Sequence, residues 1–182
     1  MKFFKENSSM IMRMIITHIA MSVFGLAIFF ATNLMNPPTI MLAASIFSAV
    51  FFGIIVYTTM WEYGAKDKPA FDAGRQVGAG KHGFLTMLSA EALWIILAVA
   101  YVCIYQFDVN IASIVYVVEF LTTCCFTGIE VYLKNYVVAN SVIVPALVYI
   151  AGSLIICAVG AFGYVLGTKD LTIIPKKANT KK

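Results

Sequence analysis

The ionisable residues set within apolar sequence are where chemistry would be sought. Between Arg13 and Glu62 no side chain is formally charged, and His18 alone in that stretch could become so near neutral pH. Glu91 stands in a second apolar run, and Glu119 and Glu130 in a third. An ionised group in hydrocarbon costs several kcal/mol unless it is paired or wetted, so such residues are the first functional candidates. Glu91 lies about 10 Å from the inner end of its run, and His18 about one turn inside the inner end of its own. A Glu91–His18 pair would relay a proton, bind a cation, or simply lock two helices through a hydrogen bond.

Glu119 reads differently. At about 100° per residue, Glu119, Thr123, Glu130 and Lys134 fall in one stripe, with Thr122 at its edge; Ile114, Val117, Leu121 and Cys125 lie opposite. The pattern predicts an amphipathic helix over 111–134 with Glu119 on a solvated face and Glu130 and Lys134 as an i,i+4 pair.

Other motifs carry less. Cys103, Cys124, Cys125 and Cys157 have no CxxC spacing and sit in apolar segments, as small buried hydrophobes do. The stretch Gly74–Gly83, GRQVGAGKHG, approaches a phosphate loop. Its spacing from Gly74 is one residue too long, however, and His82 replaces the hydroxyl that would hold magnesium. Neither an HExxH pattern nor a Ser/His/Asp or Cys/His constellation is present, so the sequence calls for no metal and no cofactor.

The elements that must position these residues follow from composition. Of 182 residues, 61% are hydrophobic and 12% charged, with a formal net charge of +4; mean hydropathy is +0.88. A 20.0 kDa soluble fold has no core large enough for that apolar content. Disorder is excluded for the same reason, and the basic residues cluster as membrane topology requires rather than on a nucleic-acid-reading face. The chain reads as an all-α polytopic membrane bundle and a single membrane domain.

Spans are predicted at about 14–35, 39–61, 84–107 and 141–167, each near the 20 residues a bilayer demands. Asn36-Pro37-Pro38 divides the first two, since proline ends one helix and opens the next. A cytoplasmic loop over 62–83, with Pro69 and five glycines against a continuous helix, and a basic tail over 168–182 complete the map. With four spans, twelve of the thirteen Lys and Arg fall on the cytoplasmic side together with both termini, and only Lys134 falls outside. The alternative of five spans leaves eight inside and five outside. Four is therefore preferred, with 111–134 lying along the outer interface or re-entering the bundle.

Aromatic residues agree: Tyr57, Trp61 and Tyr63 mark one inner end, Tyr101 and Tyr105 an outer end, and Tyr164 another inner end. The first span is expected to remain uncleaved. The acceptor pattern Asn7-Ser8-Ser9 falls on the cytoplasmic side and is discounted. Ser45, Ala49 and Gly53, and again Gly163 and Gly167, recur four apart, the spacing of a face for close helix approach, within the chain or in a homo-oligomer.

The element Trp61-Glu62-Tyr63-Gly64-Ala65-Lys66-Asp67, a W-x-x-G-x-K-D pattern, resembles one found in small, uncharacterised bacterial integral membrane proteins. The stretch Gly163-Tyr164-Val165-Leu166-Gly167-Thr168-Lys169 is similar to their closing G-Y-x-L-G-x-K. The resemblance covers about a tenth of the chain and implies a bacterial inner-membrane protein with both elements facing the cytoplasm. It carries over no catalytic residue. In that setting Trp61 would anchor the interface beside anionic headgroups, while Lys66 and Asp67 would cap the helix exit.

The leading expectation is a non-enzymatic accessory or interaction subunit, alone, as a homo-oligomer or in a larger membrane complex. Its rivals are a small-solute or proton-coupled transporter or channel using His18, Glu91 and Glu119, and a lipid-modifying membrane enzyme using carboxylates or cysteines.

Overall fold

The structure, a computed structural model, describes residues 2–33, 38–74, 78–136 and 143–171. Its helices are α1 (Lys2–Asn33), α2 (Pro38–Asp72), α3 (Ala79–Tyr105), α4 (Val109–Thr122), α5 (Thr127–Tyr136) and α6 (Ile143–Thr168), with a 3-10 turn at Cys124–Phe126 between α4 and α5. Four of them, α1, α2, α3 and α6, are long and apolar enough to cross a membrane. Large apolar side chains such as Val23, Phe47, Ile96 and Ile155 stay on their outer surface, as lipid permits and water does not. The protein is a multi-pass all-α membrane bundle.

Contacts set the directions. Asn7 meets His82 and His18 meets Glu91, so α1 and α3 run parallel. Gly53 faces Ile156 and Gly167 faces Trp61, so α2 runs parallel to α6; Gly83 against Tyr164 makes α3 antiparallel to α6. Residues 2, 72, 79 and 168 therefore share one end of the bundle, and 33, 38, 105 and 143 the other.

Glycines hold the centre together. A Cβ on Gly163 would stand 2.6 Å from the Tyr57 carbonyl oxygen, and one on Gly167 or Gly64 would overlap the backbone of Trp61 or Tyr164. This face brings α2 and α6 into backbone contact within the chain. The other small-residue face behaves differently. Ser45 seats the 3-10 turn, its hydroxyl donating to the Cys125 carbonyl at 2.6 Å, while Gly53 has its nearest neighbours 4.0 Å from an added Cβ. Ala49 and Gly53 instead line an open apolar groove of about 810 Å³ between α2, α5 and α6.

Two expectations about local structure are corrected. Helix α2 does not stop near 61 but runs through Pro69 to Asp72, so most of the expected 62–83 loop is helical. Proline near a helix end frees few carbonyls, and tertiary contacts hold the extension: Gly64 lies against Tyr164 and Thr168, and the Phe71 ring lies 6.3 Å from that of Tyr164. What remains of the loop is short, with Gly74 at φ 69° and Gly78 at φ 76°, conformations open to glycine. Arg75 and the tail lysines from Lys176 onward lie outside the described residues.

The second correction concerns 111–134, which is two helices rather than one. Asp108 caps α4, its Oδ1 accepting from the backbone N–H of Asn110 at 2.8 Å and of Ile111 at 3.2 Å. Helix α4 then descends antiparallel to α3, the rings of Tyr101 and Tyr116 meeting at 5.4 Å. After the turn the chain climbs back, Phe126 beside Gly152 and Glu130 beside Tyr149. The segment is a re-entrant hairpin whose tip lies about halfway down the bundle.

Candidate polar site at the hairpin tip

The hairpin turns its polar stripe inward. Glu119, Thr123 and Glu130 are buried, whereas Ile114 and Val117 are 66% and 52% exposed. The expected solvated face of Glu119 is thus overturned. Around a membrane bundle the surroundings are hydrocarbon, so an amphipathic helix turns its apolar side out and its polar side toward protein.

The tip meets His18. Its Nδ1 lies 2.9 Å from Glu91 Oε1, and its Nε2 lies 3.0 Å from the carbonyl oxygen of Thr122, at the C-terminal end of α4. The Ser22 hydroxyl shares that carbonyl in a short contact. Breaking the helix at Thr123 frees this carbonyl from its own ladder, and α1 supplies the donors. A carbonyl only accepts, so Nε2 carries a hydrogen. The contact between Nδ1 and Glu91 then holds one further proton, on the imidazole as an ion pair or on the carboxyl as a neutral pair. Either way the pair carries no net charge.

The histidine ring is fixed by Trp94, stacked at 4.7 Å, and Phe52, edge-on at 5.2 Å. Two polar atoms here have no partner among the described residues, Glu91 Oε2 and Trp94 Nε1, an acceptor and a donor.

Nearer the end of the bundle where the hairpin enters, Glu130 is fully satisfied. Its Oε1 accepts from Tyr116 Oη at 2.9 Å and pairs with Lys134 Nζ at 2.9 Å; its Oε2 accepts from Tyr149 Oη at 2.7 Å. The expected i,i+4 pair with Lys134 is present, but its carboxylate is buried. Glu119 lies within electrostatic reach of Glu130, and neither of its oxygens has a partner among the described residues.

Tyr116, Tyr149 and Trp94 were not legible as site residues. Aromatic residues are ordinary in apolar helices, and only the hairpin break brings Tyr116 opposite Glu130. The break itself has a faint signal, three β-branched or small polar residues and two cysteines in 122–127.

The W-x-x-G-x-K-D element is placed elsewhere, at the end of the bundle with residues 72 and 168. Trp61 Nε1 donates to the Leu171 carbonyl at 2.6 Å, and Asp67 Oδ2 accepts from Tyr164 Oη at 2.6 Å. Lys66 Nζ lies 5.3 Å over the Tyr63 ring. Lys66 and Asp67 do not cap a helix exit, because the helix continues past them to Asp72. Asn7 is engaged too, accepting from His82 Nε2 at 3.0 Å.

Among the described residues no three His, Cys, Asp or Glu side chains converge as metal ligands would. Cys125 is buried with its thiol donating to the Met21 carbonyl at 3.1 Å. Compared with known proteins, the chain matches no family model, no curated protein and no solved structure.

Proposed function

We propose that the protein moves a proton or small cation across the membrane through the polar core at the hairpin tip. One observation carries this reading: the buried His18–Glu91 pair, bound to a helix break deep in the bundle, keeps an acceptor and a donor with no partner among the described residues. Interrupted helices at membrane depth are where transporters build binding sites, since freed backbone groups and side chains meet there away from lipid. The shared proton of His18 and Glu91 supplies a group that changes state without changing the pair's net charge.

The test is flux in proteoliposomes carrying a pH-sensitive dye under an imposed potential. Wild type is expected to dissipate the gradient. Glu91→Gln keeps the shape and an acceptor for His18 but removes the carboxylate, and should abolish the flux. A variant as active as wild type would remove the reading.

The expectation of an accessory subunit keeps one supporting observation, the groove between α2, α5 and α6, lined by Ala49, Gly53, Phe126, Leu133 and Ile155 among others. In that role the protein would leave native membranes with a partner and show no flux. In either role both termini face the cytoplasm by the distribution of Lys and Arg, with Lys66 and Lys81 near anionic headgroups, in the inner membrane of a bacterium if the W-x-x-G-x-K-D resemblance holds.

A further inference from the structure

We infer that Glu119 is the receiving group for one unit of positive charge, a proton or an alkali cation, entering from the side of the bilayer where both arms of the hairpin begin and end. The inference rests on the transport reading in that it names the charge the core would carry.

Glu119 is 0% exposed, and neither carboxylate oxygen finds a donor among the described residues. The hydroxyls of α4, of its C-cap and of Tyr149 are already committed, while the Thr127 hydroxyl and the Trp94 indole N–H have no partner among the described residues. Thr122 Oγ1 donates to the carbonyls of Val118 and Glu119, and Thr123 Oγ1 donates to that of Glu119 at 2.6 Å. Tyr116 and Tyr149 give their hydroxyl protons to Glu130. A buried carboxylate with about four acceptor positions and no donor has lost its water without compensation.

Charge gives the same answer. Lys134 neutralises Glu130, and the His18–Glu91 pair is neutral in either arrangement. Among the described residues, the ionisable groups within electrostatic reach of Glu119 are Tyr101 of α3, Tyr116 of α4 and Glu130 of α5; beyond them lie Lys134 and Tyr149, which hold Glu130, and His18, which meets Thr122. Their sum leaves one negative charge, that of Glu119. One positive charge balances the core; two would overshoot it. Lys134, partly exposed, pairs with Glu130 on the side where the hairpin arms begin and end.

The probe is dicyclohexylcarbodiimide, an apolar reagent that enters hydrocarbon and adds to protonated carboxyl groups. The full wild-type chain in proteoliposomes is treated over a pH series, with and without NaCl or KCl, and adducts are located by peptide mass spectrometry. An adduct on Glu119 that is lost as pH rises and ignores salt identifies the proton as occupant. An adduct lost on adding sodium or potassium at constant pH identifies the alkali cation. No adduct on Glu119 under any condition, or adducts only on Glu91 or Glu130, overturns the inference.

The measurement needs no variant to fold, and Glu119→Gln serves to confirm the assignment by loss of the labelled peptide. It is also separable from transport. Labelled Glu119 with no wild-type flux would keep this site and remove the transport reading, whereas flux that depends on Glu91 without labelled Glu119 would do the reverse.

Discussion

His18 is held from four sides, by Glu91, the Thr122 carbonyl, Trp94 and Phe52. Removing one member of a buried charged pair leaves the other without compensation, which costs about 3–5 kcal/mol, whereas replacing both by apolar groups is often near neutral. His18→Ala is therefore expected to lower thermal stability in detergent sharply, and His18→Leu with Glu91→Leu to recover most of the loss. If the double variant were as unstable as the single one, the pair would be serving packing rather than charge. Glu130 contrasts with Glu119 at the same scale: among the described residues three donors surround one carboxylate and none the other. The identity of these acids was readable from their place in apolar sequence. Their partners were not, because hydrogen bonds between residues 73 and 104 positions apart depend on how helices pack.

At the scale of elements, α6 does two jobs with one face. Gly163 and Gly167 admit the backbone of α2, and Gly160 admits Met87 of α3, whose Cγ would stand 2.7 Å from an added Cβ. Gly167→Leu should force α2 and α6 apart and cost about 1–3 kcal/mol or more, read as a lower unfolding temperature in detergent. Gly53→Ala, with nothing nearer than 4.0 Å, should be neutral or slightly stabilising. Equal losses in the two variants would show that the close contact at Gly167 is not what holds the pair. The four-residue spacing of both faces was visible in the sequence; which one makes the tight interface was not. Spacing places residues on one side of a helix, and only a partner's position decides what that side touches.

For the whole molecule, the hairpin settles the parity of the chain. Because α4 enters and α5 leaves at the same end, α3 and α6 are joined as if by a loop at that end, and the start of α1 and the end of α6 come to one side. Reporters fused after residue 110 and after residue 136 should lie on the same face of the bilayer, with one at Lys182 on the opposite face. Opposite signals at 110 and 136 would mean that the segment crosses, and would take Glu119 and Glu130 out of the core they share with His18 and Glu91.

Composition and hydropathy alone determined that this is a helical membrane protein, and charge placement favoured four spans over five and pointed to the shared side of its ends. Both depend on transferring residues from water to hydrocarbon, a property each carries wherever it goes. Tertiary structure alone decided that α2 runs through Pro69, that the 111–134 helix breaks in two, and that Glu119 faces protein. A lone helix with one polar face has two stable settings, polar side to water or polar side to a bundle core, and its sequence reads the same in both.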